Sequence, residues 1–433
     1  SKTVTVNSIT LSNGSNGGLA ANYSISAGQT TTANITAKAL TVSGITASNK
    51  TYDSNTTATL NTGSVSYSGL VGGDVFNGTY TGAFSDKNVG TGKTVTITPS
   101  YTGADVSNYS ITNHTNITAN ITTKALTVSG ITTSNKTYDG NTVATLNTSS
   151  VLYSGLVAGD TFSGSYTGAF ANANVGTGKT VTITSSYSGA DLNNYSITNQ
   201  NSTTANVTAK ALTATASASN KVYNGNTTAN VTLSLSGYIG SETLNSSNSS
   251  TFNNKNVGTS KTVTVNSITL SNGSNGGLGA NYSISPGQTT NANVTAKSLT
   301  VSGITASNKT YDGNSNATVN LSLSGFVGSE TLNVTNISSF PNKNVETGKT
   351  ATVNSITLTD GTNGGLASNY SINPGQTVTA TIIAKSLIVS GITSSNRTYD
   401  TTSSAILDTS SVAYNGLIPG DDFTGSFSGL FVN

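Results

Sequence analysis

Cysteine, methionine and tryptophan are absent from all 433 residues, and histidine occurs once, at His114. Metal sites built from Cys and His are excluded, as is a repeated Ser-His-Asp or Cys-His catalytic unit. Without cysteine, no disulfide framework marks a redox compartment. His114, alone in "SITNHTNITAN", reads as a solvated loop or strand residue. Charged residues make up only 8% and the formal net charge is +2, so no basic face is present to hold nucleic acid. No apolar run is long enough to span a bilayer. Proline numbers 5 and aromatics reach 6%. Low hydrophobicity with neither high charge nor much proline is not the usual signature of disorder. What is present is Thr, Ser, Asn and Gly, with Val, Ile and Leu spaced through them. That alternation calls for sheets with one wet face. A neutral, hydroxyl-rich exterior suits the outside of a cell.

The run "GTGKT" at 90–94 looks like a phosphate-binding loop. Such a loop needs a glycine five positions before its Gly-Lys pair, and a helix behind it. Lys87 stands at that position, and "TVTIT" follows with the period of a strand. The stretch recurs at 175–183, 257–265 and 345–353, with Ser260 for the second glycine once and Glu346 for the first once. A phosphate cradle would not gain a carboxylate, so the stretch reads as a turn entering a strand.

Recurrence decides the architecture. The phrase "AKALTVSGITASNKTYDS" at 37–54 returns four times, marked by Lys38, Lys124, Lys210, Lys297 and Lys385, at spacings of 86, 86, 87 and 88. That period is too long for one solenoid coil and fits a small domain that closes its own core. The expected parts are a C-terminal half repeat (1–37), repeats at 38–123, 124–209, 210–296 and 297–384, and an N-terminal half repeat (385–433). Units come in two flavours. One carries "SYSGLVGGDVFNGTYTGAF" (66–84, again 152–170 and, diverged, 413–431); the other carries "LSLSGYIGSETLN" (233–245, again 321–333).

Within a unit, "ALTVSGI" places Leu40 and Val42 on one face, and "ITANIT" does so for Ile117, Ala119 and Ile121. "NKTYDG" ends in a turn dipeptide that tolerates positive φ; Ser54 and Thr401 replace its glycine, so the turn type is expected to vary there. No stretch has a helical period. The fold class is all-β: tandem small antiparallel sandwiches, Ig-like, of about seven strands each. "TANITA" runs into "KALTV" without a flexible spacer, so the units should join stiffly. Five units of that kind make a rod of about 200 Å.

"NKTYDG", "SGLVGGD", "NVGTGKTVT", "SNYSI" and "ITAKALTV", in that order at a fixed period, resemble the YDG/MBG-type repeats of very large bacterial surface proteins, often beside filamentous-haemagglutinin-like regions. The resemblance covers essentially the whole chain. It implies an extracellular, all-β stalk or adhesin segment without enzymatic activity. The third unit departs with "KVYNG" and the fifth with "NRTYDTT".

Two tyrosines recur per unit: Tyr52, Tyr138, Tyr223, Tyr311 and Tyr399, and Tyr23, Tyr109, Tyr195, Tyr282 and Tyr370. They could stack on sugars; the reading preferred here is core anchors with the hydroxyl bonded at the rim. Asp53, Asp139, Asp312 and Asp400 fit turn residues that cap their own backbone. Asp74, Asp160, Glu242 and Glu330 recur singly, short of the carboxylate cluster that calcium prefers. A Lys–Asn isopeptide has formal candidates in Lys93, Lys179, Lys261 and Lys349; Arg397 at the place of Lys50 removes that other lysine series. Asn22, Asn108, Asn194, Asn281 and Asn369 head glycosylation sequons, and some use of these is expected outside a cell.

No catalytic, cofactor or metal residue is assigned, and no cofactor is expected. The leading reading is a structural stalk or fibre segment whose partners are neighbouring repeats or subunits. The alternative is a module that binds glycans, ice or cells through Thr/Asn-rich faces. The start at Ser1, with no initiator Met and no leader, suggests a mature or internal piece. Ser1 aligns with Ser260 and Asn433 with Asn172, both mid-unit, so 385–433 and 1–37 together make one unit. Either the sequence is a window on a longer chain, or subunits complete each other head to tail.

Overall fold

The computed structural model describes residues 1–422 and 424–432. Phe423, in the third copy of the first-flavour segment, and Asn433, the expected match of Asn172, lie outside the described residues. Among those described there is no α-helix, only strands and five three-residue 3-10 turns. The chain divides into two compact units, 1–208 and 209–433.

In the first unit, the repeat 38–123 shows the plan. A five-stranded sheet runs in the order Lys50–Thr51, Asn116–Thr122, Gly90–Thr102, Asn77–Phe84, Thr57–Ala58. A three-stranded sheet has Lys38–Ser43 between Tyr109–Thr112 and Ser66–Ser68. Leu40, Val42, Val95, Ile97, Ala119 and Ile121 are buried between the sheets, as period-2 alternation requires. Ile117 is half-buried. The same pattern recurs in 124–208.

Two pairings are parallel: Lys38–Thr41 with Tyr109–Thr112, and Lys50–Thr51 with Ile121–Thr122. Each sandwich is therefore mixed at its edges rather than purely antiparallel. The physical reason lies in chain entry. The strand after a junction starts at the end where the "NYSI" segment also starts, so the two run side by side in one direction. Residues 1–37 form a two-stranded antiparallel ribbon, Lys2–Thr5 with Thr30–Ala33, whose Val4, Tyr23 and Ile35 are exposed.

In the second unit, the repeats 210–296 and 297–384 keep the large sheet. Their long central strands reach Gly258–Asn272 and Glu346–Asp360. Residues 385–432 contribute three two-stranded ribbons.

The "GTGKT" stretch is a β-bulge. The ladder between Gly90–Thr102 and Asn116–Thr122 slips between Gly90 and Lys93. Gly92 sits at φ 59°, and its N–H donates to Asn120 Oδ1 at 2.7 Å. Ser260, which replaces the glycine, holds φ 49° and donates to Asn293 Oδ1 at 2.8 Å. The side-chain acceptor fixes the bulge whether or not glycine is present. The lysine that follows folds back into the loop: Lys349 Nζ donates to Asn342 Oδ1 at 2.6 Å and Asn344 O at 2.7 Å, with its side chain 1% exposed. Lys179 and Lys261 do the same with Asn172 and Asn174, and with Asn254 and Asn256, while Lys93 pairs with Asp86 at 2.7 Å. Burial lowers Lys179 and Lys261 from the ordinary lysine value.

The turn after the recurring tyrosine keeps one conformation. Gly140, Gly225 and Gly313 lie at φ 78°, 82° and 80°, and Ser54 and Thr401 take φ 65° and 71° in their place. The expected variation of turn type does not occur; the surrounding strands impose a left-handed residue even where it is strained.

Candidate functional site: the joint between repeats

Within each unit, successive repeats are separated by a single residue. Asn116–Thr122 is followed by Lys124–Ser129, and Thr289–Thr295 by Lys297–Ser298. The recurring side chains of the sequence converge at these joints.

In the first unit, Tyr52 of one repeat is 0% exposed, and its hydroxyl donates to Asp160 Oδ1 of the next repeat at 3.1 Å. Tyr195 donates to Asp160 Oδ2 at 2.5 Å and accepts from Val157 N at 2.9 Å. The two rings meet edge to face with centroids 5.6 Å apart. Lys87 of the earlier repeat reaches Asp191 at 2.9 Å and Asp160 at 3.6 Å. An ammonium thus sits between two carboxylates. Asn194 locks the other side: its Oδ1 accepts from Val89 N at 2.9 Å, and its Nδ2 donates to Asn88 Oδ1 at 3.2 Å.

The second unit repeats this arrangement with glutamate. Tyr223 and Tyr370 each donate to Glu330 at 2.7 Å, and Lys255 reaches Glu330 at 3.0 Å. The rings lie 5.5 Å apart, edge to face, with Lys255 over the face of Tyr223. Asn369 accepts from Val257 N at 2.9 Å and donates to Asn256 at 3.1 Å. Further on, Tyr311 donates to Asp421 at 2.5 Å and Lys343 pairs with Asp421 at 2.8 Å.

These joints are also apolar. One buried cluster holds Tyr52, Val95 and Ile121 of one repeat with Leu126 and Tyr195 of the next. Another joins Tyr223 and Val263 to Leu299 and Tyr370. Tyr52, Tyr195, Tyr223 and Tyr370 are therefore core residues of the joint rather than of a single domain, and their faces are unavailable for stacking on sugar, whereas Tyr109 packs with Leu40 and Phe76 of its own repeat. Tyr23 and Tyr399, 72% and 87% exposed, differ because they lie in the half repeats.

Burial and the bond to Asp160 push the Tyr195 hydroxyl up to about 12, and burial and Glu330 do the same to Tyr370. For Glu330, burial pulls upward but is outweighed by the hydrogen bonds from Tyr370, Tyr223 and Lys255, which leave it below the usual carboxylate range. Lys87 is raised, chiefly by its bond to Asp191. Catalytic acids and bases are tuned toward neutral pH; these groups are tuned away from it, and the constellation seals two domains.

The turn aspartates cap as expected: Asp53 accepts from Asn55 N at 3.1 Å and Asp312 from Asn314 N at 3.2 Å. Each also pairs with the lysine three residues earlier, Lys50 at 2.6 Å and Lys309 at 2.8 Å. His114 is half-buried, not solvated; its Nδ1 accepts from Ile45 N at 3.2 Å, a role that Gln200 fills toward Ile131 N at 2.9 Å. Of the sequon asparagines, Asn22 and Asn108 are exposed, but Asn194, Asn281 and Asn369 are buried. Sequence reasoning missed the joint role of Asp160 and Glu330. The available signal was an acid kept at one slot in both flavours, "AGD" and "GSE", with a lysine at 87, 255 and 343.

Among the described residues no group of three or more His, Cys, Asp or Glu could hold a metal ion, and no helix is long and apolar enough to cross a membrane. No curated protein matches the chain. A crystal structure of Drosophila N-cadherin EC1-4 aligns at 9% identity with a TM-score of 0.19, over 79% of this chain and 99% of that one, a likeness too slight to carry an argument. The YDG domain model matches four times in tandem, at residues 36–117, 122–205, 208–292 and 295–380. With more than half of its length so matched, the chain belongs to the YDG domain family.

Proposed function

We propose that the chain is a structural stalk or fibre segment of a bacterial extracellular surface protein or adhesin, built from directly joined β-domains and without enzymatic activity. The observation that carries this reading is the joint. Tyr52, Lys87 and Val89 of one repeat engage Asp160, Asp191 and Asn194 of the next, and Tyr223, Lys255 and Val257 repeat the arrangement with Glu330 and Asn369. Buried polar groups satisfied only across a joint resist its bending, because bending would strand them. A spacer that transmits tension needs that property. The low charge supports an exposed setting, since few groups are screened or titrated. Protease shaving of intact producing cells tests the location. Release of peptides from these repeats supports it, and full protection of the repeats overturns it.

A second reading, a glycan-, ice- or cell-binding module, draws on one face. Thr94 pairs across the sheet with Thr118, Thr96 with Asn116, and Thr98 with Thr81, all exposed. This flat hydroxyl and amide array repeats in 124–208. Specific retention of the full chain on a glycan array or on ice, lost when Thr96 and Thr98 become Lys, would favour this reading.

A further inference from the structure

The turn after the recurring tyrosine carries aspartate in the repeats 38–123, 124–209 and 297–384, but asparagine in 210–296. Asp53, Asp139 and Asp312 pair with the lysine three residues earlier, at 2.6, 2.7 and 2.8 Å. For Asp53, burial pulls upward but the bond from Lys50 outweighs it, and the carboxyl lies below its ordinary 3.8. Asn224 stands in that place, exposed and followed by Gly225. Its lysine is nonetheless caged as in the other repeats. Lys221 Nζ donates to Asn226 O at 2.8 Å and to Thr228 O at 3.0 Å, where Lys50 has Asn55 O at 2.8 Å and Thr57 O at 3.1 Å. It lies over the Phe252 ring as Lys50 lies over Phe84. Asn224 Oδ1 accepts from Asn226 N at 3.3 Å, the bond that Asp53 makes to Asn55 N at 3.1 Å. The repeat thus keeps the ammonium and the turn, but sets an amide where the others set a carboxylate.

Residue 225 is glycine for a reason that lies in the joint. It holds φ 82°, and a Cβ there would stand 2.6 Å from Val327 Cγ1 of the next repeat. A glycine nitrogen is also the least shielded neighbour that an asparagine can have, since no side chain blocks its approach to the carboxamide carbon.

We propose that Asn224 is a site of spontaneous covalent modification, at which deamidation to aspartate completes the ion pair with Lys221. Hydroxide takes the proton of the Gly225 amide, and the nitrogen attacks Cγ of Asn224. The new N–Cγ bond closes a five-membered imide, and ammonia leaves with a proton from water. Hydroxide then adds at Cγ, the N–Cγ bond breaks and the nitrogen is reprotonated. The net change is amide plus water to carboxylate plus ammonium. Opening at the other carbonyl would instead leave a β-linked residue with one more carbon in the backbone. Two features select against that isomer. The ammonium of Lys221 beside Cγ draws hydroxide there and favours the carboxylate that forms. The close approach of Gly225 to Val327 leaves no room for a displaced turn.

The test is peptide mapping of the full chain held warm at mildly alkaline pH, with the Asn224→Asp chain as the chromatographic standard. The peptide containing residue 224 should gain about one dalton and co-elute with the standard. Asn272 and Asn363 also precede glycine, but Asn272 Oδ1 accepts from Gly279 N at 2.9 Å and Asn363 Nδ2 donates to Ser329 O at 3.0 Å. They should convert more slowly. The same chain unfolded in urea gives the reference rate and should yield the β-linked isomer as well. In the Asn224→Asp chain, the new carboxyl should titrate below the ordinary 3.8 by NMR, as Asp53 does. No gain at residue 224 while the unfolded chain converts fully, the β-linked isomer as the main native product, or an unshifted carboxyl in Asn224→Asp overturns the proposal.

Discussion

Tyr223 donates a 2.7 Å hydrogen bond to Glu330, 107 residues further along the chain and in the next repeat. Neither residue belongs to the sheet core of a single domain in the usual way. Together with Tyr370 and Lys255 they make the wall that two domains share.

The asparagine lock can be read at a distance. Asn369 Oδ1 accepts from the N–H of Val257, 112 residues earlier. Asn369→Ala should speed amide exchange at Val257 by about fivefold or more, since a net hydrogen bond is worth ~1 kcal/mol or above. Asn194→Ala should do the same at Val89. Exchange unchanged at both amides would mean that the lock contributes nothing.

The joint should weaken at both ends of the pH scale. The carboxyl of Glu330 is depressed below its ordinary 4.5, so its contribution is present above that pH and is lost as pH falls through the lower folded value. Tyr370 is raised to about 12, so its contribution is present below 10 and is lost between 10 and 12. Melting temperature followed by circular dichroism should be flat through neutrality and fall on both sides. Glu330→Gln should abolish its part of the acid limb and, because Glu330 helps to raise Tyr370, also move the alkaline limb to lower pH.

The tyrosine turn makes a backbone prediction of opposite signs. Gly140→Val should destabilise by roughly 1–2 kcal/mol, because a branched side chain resists a φ of 78°. Thr401→Gly, which relieves φ 71°, should stabilise its ribbon by up to ~1 kcal/mol. Urea unfolding of the two variants checks both signs.

Buried sequons set a limit on modification. Asn194 and Asn369 spend their side chains on the neighbouring repeat and are buried. Peptide mapping of native material should find them bare, with any sugar confined to exposed positions such as Asn108. A glycan on Asn369 in folded protein would contradict the joint geometry.

The strands and their inward faces could be read directly, because Leu40, Val42, Val95 and Ile97 alternate with hydroxyl residues and two-residue alternation is a local property. The parallel pairing of Lys38 with Tyr109 could not, because alternation says nothing about which strand is the neighbour. Ser54 and Thr401 show tertiary structure overriding local preference. The joint was hidden for a different reason. Its partners in different repeats lie far apart in sequence, Tyr52 and Asp160 by 108 residues and Lys255 and Glu330 by 75, so no short window of sequence contains both. The tyrosine pairs were visible as core anchors, but which core they anchor emerges only when two repeats are seen together.

The most direct test of the shared wall is a double-mutant cycle on Tyr223→Phe and Glu330→Gln in the full chain, with urea unfolding as the readout. Both substitutions keep the side-chain shape. A hydrogen bond to a buried carboxylate predicts a coupling of about 1–2 kcal/mol between positions that lie in different repeats. Single-mutant effects that add to within ~0.3 kcal/mol would show that the two repeats do not share this contact, and would contradict the account of the joint.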